Sequence, residues 1–390
     1  MKSLIILFTF SITQSVVAQM SIDEVLKSVQ ENNTQLKVQV QNESTQTASF
    51  NIGRELYNPD ISVDYFVGSP STAGNQTDIA ISQPFDFPST YKHKRNLFES
   101  QSAGTSIQTQ IQKRDLMQQV KSICVELVYH EKLKNQLIQQ KENIASILEN
   151  FEQKLLKGDG NGLDVSKAKL QLMQVTSDIQ EEITTINHLN QELTTLNGGK
   201  EIAFSDTSYF TNSNIPPLEN LIQTAQSTNP TYNLNNQRQL IAQNQLTWSK
   251  SNSLPSFEAG YHYQGILGQT FHGVHFGFSI PLWENKNQIK YSKENILLSE
   301  LNTMDYDNHF TSEMKREYQT FENYKDMLTQ YNDFFSTAKN LDLLKKALDF
   351  GELKAIEYFN EVNFYNEFKI RYLKTEKDMH LTLVYLTKYE

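Results

Sequence analysis

A few short runs in this chain begin like catalytic or phosphate-binding motifs, and none of them is complete. His130 and Glu131 start the helical string by which zinc proteases hold their metal, but Lys134 stands where the second histidine ligand is required. The Gly-Gly-Lys run at 198–200 lacks the spaced first glycine of a phosphate-binding loop, and a glutamate follows its lysine. Neither run predicts a catalytic site or a nucleotide site.

Three histidines, His262, His272 and His275, fall close together in the second half of the sequence. The residues around them alternate as in a β-hairpin, so His272 and His275 are expected on opposite faces of a strand and not around one ion. No paired acid and base, and no nucleophile beside a base, is found elsewhere in the chain. The sequence therefore predicts a protein that is not an enzyme and that needs no metal or cofactor.

The sequence motifs that mark the predicted helices and strands occur twice along the chain, in the same order. The matched pairs are Asn33 and Asn229 (196 residues apart), Pro59 and Pro255 (196), Pro84 and Pro281 (197), and Gly158 and Gly351 (193). A period this long, repeated across several motifs, indicates a duplicated structural unit. We divide the chain into a signal peptide over 1–19, a first repeat over 20–197, a linker over 198–217 and a second repeat over 218–390.

Each repeat contains a predicted β-hairpin, over 59–85 in the first repeat and 255–282 in the second. Apolar residues alternate along these strands with small or polar ones, and this period of two places them on opposite faces. The apolar face comprises Ile61, Val63, Tyr65, Ile79, Ile81, Phe257, Tyr261, Tyr263, Phe276 and Phe278. Alternating strands of about 9–11 residues suffice to span a bilayer, and these ten side chains would then face lipid.

Each hairpin leads into predicted helices of unusual length, over 91–157 and 163–196 in the first repeat and over 285–350 and 352–388 in the second. Between Tyr91 and Lys157 there is no proline, and apolar residues recur at steps of three and four, as in coiled-coil packing. A helix is also predicted over 21–56, capped by Ser21 with Glu24 three residues later. The sequence thus predicts a mainly α-helical protein with a small β part.

The N-terminus carries the pattern of a secretory signal peptide. Lys2 precedes an apolar run that starts at Leu4, and the small residue Ala18 lies at the end of the segment. After this segment no run of eighteen apolar residues predicts a membrane-spanning helix. Cys124 is the only cysteine, so an intramolecular disulfide is impossible.

The net charge of the chain is −10 and its sequence pI is about 5.4. Nucleic-acid binding needs a basic surface, so this class of partner is not expected. Four strands are too few to close a barrel, for which about eight are needed. Open strand edges are unfavourable in hydrocarbon, so several copies must share one wall if the strands span a membrane.

This organisation resembles the TolC family of outer-membrane efflux proteins over essentially the whole mature chain. The resemblance rests on the duplication and on paired motifs: Asn33 with Asn229-Pro230, Pro59 with Pro255, Ser82-Gln83-Pro84-Phe85 with Ser279-Ile280-Pro281-Leu282, and Gly158…Leu163-Asp164-Val165 with Gly351…Ile356-Glu357-Tyr358. It implies a homotrimer with a twelve-stranded transmembrane β-barrel in the outer membrane of a Gram-negative bacterium and a periplasmic α-barrel. It also implies a passive duct that works with a periplasmic adaptor and an inner-membrane pump.

The resemblance also implies roles for residues near the two turn glycines. In that family the helix–turn–helix ends form the periplasmic mouth, and an acidic residue six positions after the glycine lies near the narrowest point. These positions are Asp164 and Glu357 here, and Asn360 lies where some members have a second acid. Rings of negative charge at a pore constriction favour the passage of cations. The expected adaptor contacts are Gly158, Leu163, Gly351 and Ile356.

Both carboxylates also fit a simpler interpretation. Asp164 and Glu357 lie in the first turns of their predicted helices, where an acidic side chain stabilises the helix dipole by about 0.3–1 kcal/mol. A second function is open for the whole chain as well: a secreted or surface coiled-coil scaffold or adhesin, whose strands form a small soluble cap. A charge placed on the apolar strand face distinguishes the two, because it blocks membrane assembly of a duct and leaves secretion of a scaffold unchanged.

Overall fold

The structure is a computed structural model that describes residues 20–204, 206–209, 215–337 and 340–389. The predicted signal peptide over 1–19 lies outside these residues. The chain divides into two compact units. Of the described residues, we call those within 20–34, 115–216 and 316–388 the helical unit, and those within 35–114, 217–315 and residue 389 the sheet unit. Each predicted repeat contributes residues to both units.

The described residues form nine α-helices and four β-strands. In chain order they are α1 (Ile22–Asn32), α2 (Thr34–Asn51), β1 (Asp60–Phe66), β2 (Gln76–Phe85), α3 (Pro88–Leu156), α4 (Gly162–Leu196), α5 (Leu218–Thr228), α6 (Pro230–Ser251), β3 (Ser256–Ile266), β4 (Gln269–Ser279), α7 (Lys286–Thr337), α8 (Asn340–Asp349) and α9 (Ala355–Leu386). Within the range predicted as one helix, 285–350, the structure describes helix over Lys286–Thr337 and Asn340–Asp349, and residues 338–339 lie outside the description.

The helix predicted over 21–56 is two helices, α1 and α2, with Asn33 between them. Asn33 has a ψ of 120°, which is not helical, while its backbone N–H still donates to the carbonyl of Val29 at 2.8 Å. Its buried side-chain amide donates to the carbonyl oxygen of Leu196 at 2.7 Å. The prediction missed this break because the bond that fixes it comes from a residue far along the chain. The predicted cap is confirmed: Ser21 and Glu24 form a capping box.

Asn229 makes the matching break between α5 and α6 in the second repeat. Its backbone N–H donates to the carbonyl of Ala225 at 2.8 Å, and its side-chain oxygen accepts from the N–H of Thr231 at 2.8 Å. Pro230 occupies the first position of α6, where a missing N–H costs nothing. The same short segment thus separates two helices in both repeats.

The sheet unit contains one antiparallel sheet with the strand order β1-β2-β3-β4. Strand β2 pairs with β3 over ten residues, from Gln76 opposite Ile266 to Phe85 opposite Phe257, and so joins the two hairpins. Among the described residues β1 and β4 each have one strand neighbour, and they form the two edges. The sheet is therefore open.

The core of the helical unit brings both repeats together. One cluster comprises Ile147, Phe151, Val165, Ala168, Leu348, Ala355, Tyr358, Phe359 and Val362, and a second comprises Tyr129, Leu133, Leu137, Ile144, Val175 and Leu373. Cys124 is fully buried in α3. In the part of the chain that the structure describes, no helix combines the length and the apolar character needed to cross a membrane.

The two turns in the helical unit repeat each other bond for bond. After α3 the N–H of Gly158 donates to Leu155 and that of Asp159 to Lys154; after α8 the N–H of Gly351 donates to Leu348 and that of Glu352 to Ala347. This is the Schellman pattern, which requires a left-handed residue. Both glycines provide it, with φ of 82° and 76°.

Candidate functional site

The strand register places all ten predicted lipid-facing residues on one side of the sheet. Residues directly opposite each other on antiparallel strands share a face. Val63 pairs with Ile79, and Ile79 pairs with Tyr263, so the apolar residues of the first three strands lie on the same face. Phe257 pairs with Phe278, so the apolar residues of β4 lie on this face as well. This face is open to its surroundings in the single chain, since Val63 is 66% exposed and Phe278 is 73% exposed.

The opposite face of the sheet is acidic. It carries Asp60, Asp64, Asp78 and Glu258, together with His262 and His275. His262 lies 4.0 Å from a carboxylate oxygen of Asp78, and His275 lies 3.5 Å from one of Glu258. None of the four strands contains lysine or arginine. A surface with this composition attracts cations and repels anions.

His272 lies on the apolar face and His275 on the acidic face, as the alternation predicted. His272 is opposite Tyr263, and its Nδ1 is 2.7 Å from the hydroxyl of Tyr261. The histidine therefore belongs to an aromatic group on the strand surface. Within the described residues no group of three or more His, Cys, Asp or Glu side chains is arranged to hold a metal ion.

The two candidate constriction acids lie in the first turns of α4 and α9. Asp164 is partly exposed, and the helix that contains it is capped by Asn161, whose side chain accepts from the N–H of Leu163 at 3.0 Å. Glu357 is exposed, and its carboxylate accepts the backbone N–H of Lys354 at 3.0 Å. The interpretation of Glu357 as a carboxylate that stabilises the start of its own helix thus has a physical basis, because this side chain caps α9.

Asn360 is exposed one turn after Glu357. The predicted adaptor contacts are exposed too: Leu163 to 68% and Ile356 to 41% of their surfaces, with Gly158 and Gly351 at the preceding turns.

The residues that follow the two acids are packed together. Val165 comes directly after Asp164, Tyr358 comes directly after Glu357, and both belong to the same buried cluster. The first turns of α4 and α9 therefore converge in the helical unit. The structure thus brings together the N-terminal ends on which the sequence placed the two acids.

The sequence reasoning missed an aromatic groove in the helical unit. The groove has a volume of about 560 Å³ and is lined by Gln330, Tyr331, Phe334, Leu343, Leu344, Glu361, Phe364, Tyr365 and Phe368, from α7, α8 and α9. A signal for it was present: α9 has Phe364 and Phe368 where the equivalent positions of the first repeat, 193 residues earlier, are Gln171 and Val175.

A stacked group that anchors the linker was also missed. Tyr209, in the linker between the repeats, has the His380 ring 4.0 Å from its own and the Lys132 ammonium 4.2 Å from its centroid. Lys132 also pairs with Glu376 at 2.9 Å. Burial, and after it the charge of Lys132, lowers the pKa of His380 to about 4, so this histidine is neutral near pH 7. Burial raises the pKa of Tyr209 above its usual value.

Comparison with known proteins shows similarity in structure and not in sequence. No family model matches the chain, and no curated protein matches it. Among solved structures, the membrane channel CusC has a TM-score of 0.80 at 13% identity, covering 96% of this chain and 92% of CusC. The outer membrane protein VceC from Vibrio cholerae has a TM-score of 0.75 at 10% identity, and the match covers 94% of each chain. The Campylobacter jejuni outer membrane channel CmeC has a TM-score of 0.71 at 14% identity, and the match covers 94% of this chain and 85% of CmeC.

At such low identity these similarities define the fold. They confirm the predicted fold class, with long helices and four strands per chain, and the match runs over nearly the whole length of both partners. The fold implied by the resemblance to the TolC family is therefore the fold of this chain.

Proposed function

We propose that this chain, which has the fold of outer-membrane channel proteins, is a passive channel in the outer membrane of a Gram-negative bacterium. The observation that carries the proposal is the four-stranded sheet. One face is apolar and exposed in all four strands, and the other is acidic. A sheet of this kind is stable when its apolar face meets lipid and its polar face meets water.

The channel is proposed to be a homotrimer. Strands β1 and β4 are the edges of the sheet, and unpaired backbone groups in hydrocarbon cost several kcal/mol each. Pairing β1 of one copy with β4 of the next removes both edges. Three copies then give twelve strands, enough to enclose water, whereas the four strands of one copy are too few.

The channel is proposed to have an acidic lining in each unit. Asp60, Asp64, Asp78 and Glu258 would line the pore of the sheet unit. Glu357, Asp164 and Asn360 would form a constriction in the helical unit. In the sheet, whose four strands contain no lysine or arginine, rings of carboxylates favour the passage of cations.

The partners are proposed to be a periplasmic adaptor and an inner-membrane pump, which provides the energy. The chain offers the exposed side chains of Leu163 and Ile356 beside the turns at Gly158 and Gly351 as the adaptor contact. The variants Leu163→Asp and Ile356→Asp should keep their conductance and lose co-purification with envelope adaptors. Unchanged co-purification would remove these residues from the contact.

The channel itself is tested by adding the purified mature protein to a planar bilayer. The expected result is a steady, voltage-independent current that carries cations in preference to anions. Sedimentation in detergent should give the mass of three chains. A monomer that stays soluble without detergent and carries no current would overturn the proposal and favour the secreted scaffold.

A further inference from the structure

The strands of the sheet unit meet its helices at one edge of the sheet. Phe85, at the end of β2, is opposite Phe257 near the start of β3. Ser256, the first residue of β3, is opposite Ser279, the last residue of β4, and β1 begins beside the end of β2. The chain therefore leaves α2 and α6, and enters α3 and α7, at this edge. We call residues 52–59, 86–95, 248–255 and 280–293 the junction.

The first eight residues of α3 and of α7 are basic, although the whole chain has a net charge of −10. These two segments, 88–95 and 286–293, contain no acidic residue and six cations: Lys92, Lys94, Arg95, Lys286, Lys290 and Lys293. Five of the six side chains are exposed, and Lys94 is half-buried. Within the described part of the chain only Arg95 has an ion pair, at 3.8 Å to the exposed Glu99. Cations are unfavourable at a helix N-terminus, so helix stability does not explain their position.

The opposite edge of the sheet carries no such charge. There β1 joins β2 through residues 67–75, and β3 joins β4 through residues 267–268. Neither connection contains lysine or arginine, and the four strands contain none. The positive charge thus lies on one side of the apolar strand surface only, where a layer of anions would be its counterpart.

Aromatic side chains are exposed at the junction, between the strands and the basic segments. Tyr57 is 53% exposed, Phe87 37% and Trp283 84%. Aromatic residues of this kind border the lipid-facing band of a transmembrane sheet and mark the level of the lipid headgroups. The basic residues come directly after Phe87 and Trp283 along the chain. At that level the anions within reach of a cation are lipid phosphates.

A cavity of about 250 Å³ lies between the starts of the two basic segments, and its walls include Asp86, Lys94, Trp248 and Glu284. The Nε1 of Trp248 is buried and has no hydrogen-bond partner among the described residues. The ammonium of Lys94 donates to the carbonyl of Gly53 and keeps two further N–H groups. These donors suit a phosphate oxygen, and the two carboxylates can accept from the hydroxyl groups of a headgroup.

We propose that the junction binds the headgroup of an anionic phospholipid, with the phosphate held by the cations of α3 and α7 and the acyl chains against the apolar face of the sheet. The inference rests on the proposed function, because it requires this face to meet lipid, and it deepens that function by naming the class of lipid. The chain as a whole repels anions, so the attraction is local to these two helix starts.

The test uses intrinsic fluorescence, because both tryptophans of the chain, Trp248 and Trp283, lie at the junction. The purified mature protein in neutral detergent is mixed with phosphatidylglycerol or with phosphatidylcholine, each with bromine on its acyl chains, which quenches tryptophan at close range. Phosphatidylglycerol should quench at a several-fold lower mole fraction than phosphatidylcholine. The preference should disappear in about 1 M salt, where the Debye length is about 3 Å.

A charge variant and a matched control locate the binding. Lys286→Gln with Lys290→Gln should raise the half-quenching mole fraction of phosphatidylglycerol about tenfold and leave that of phosphatidylcholine unchanged. Both lysines are exposed, so the helical circular dichroism should not change. Lys37→Gln with Lys315→Gln removes the same charge from exposed positions farther along α2 and α7, and should bind like the parent.

Three results would overturn the proposal: equal quenching by the two lipids, an unchanged affinity in the Lys286→Gln and Lys290→Gln variant, or an equal loss in the control. Competition by inorganic phosphate beyond that of chloride at the same ionic strength would also overturn it, by indicating a site for the free ion. The assay needs no conduction. A lipid preference without current would remove the proposed channel and leave the site, whereas current without a preference would do the reverse.

Discussion

The imidazole of His380 lies flat on the phenol ring of Tyr209, with the ring centroids 4.0 Å apart and the planes at 18°. The pair joins the linker between the repeats to α9. The ammonium of Lys132 lies 4.2 Å from the centroid of the Tyr209 ring, so a positive charge already lies close to the stack. Burial of the imidazole, and after it the charge of Lys132, makes a positive charge on His380 unfavourable and lowers the pKa of this residue.

The stack predicts a loss of stability in acid. Between pH 6.5 and about 4 the unfolded chain binds a proton at His380 and the folded chain does not, so the free energy of unfolding falls as the pH is lowered through this window. The full effect is about 3 kcal/mol. His380→Phe keeps a flat ring without a titrating group, and its thermal midpoint should fall less between pH 7 and pH 4.5. Equal slopes for both proteins would exclude this role.

A second prediction concerns the apolar face of the sheet. Val63→Lys should disfavour membrane assembly by about 2–4 kcal/mol if the residue lies near the bilayer midplane. Ser62→Lys is the matched control, because the neighbouring residue in β1 points to the acidic face. Outer-membrane fractionation with a trimer assay measures the outcome. Equal recovery of both variants would mean that this face does not meet lipid.

A third prediction separates the two roles of Glu357. Glu357→Gln keeps a side-chain oxygen that accepts the N–H of Lys354 and removes the charge, whereas Glu357→Ala removes both. If the residue lines the constriction, Glu357→Gln should lower the cation-to-anion permeability ratio several-fold in planar bilayers. If the carboxylate acts only as a cap, Glu357→Gln should conduct like the parent, and only Glu357→Ala should lose stability, by about 1 kcal/mol.

The turn after α3 gives a fourth prediction. Gly158 has φ of 82° and open space around the position of a Cβ atom, so Gly158→Ala meets backbone strain of about 1–2 kcal/mol and no clash. Gly162→Ala is the control: it is also uncrowded, lies at the start of α4, and should be neutral or slightly stabilising. Hydrogen exchange of the α3–α4 turn measures the difference. Faster exchange in both variants would point to crowding and not to backbone conformation.

Much of this architecture is local and could be predicted from the sequence. The two faces of the sheet follow from alternation within each strand, and pairing of Ile79 with Tyr263 extends them across both hairpins. The ends of α3 and α8 follow from Gly158 and Gly351, because a left-handed residue stops a helix wherever it occurs.

The features that were missed depend on contacts between distant residues. The break at Asn33 is held by the carbonyl of Leu196, and no property of the residues around position 33 reports that bond. The aromatic groove likewise forms only when α9 lies beside α7 and α8. A periodic pattern shows that Phe364 and Phe368 are four apart, but it does not show whether another helix covers them.

The open edges of the sheet make a newly synthesised chain prone to aggregation. In the single chain, the edge strands β1 and β4 present backbone amide and carbonyl groups without a strand neighbour, beside exposed aromatic and aliphatic side chains. Strands of this kind are templates for aggregation. In the proposed homotrimer each chain would therefore need prompt assembly, and its yield in the cell should fall when synthesis outpaces assembly.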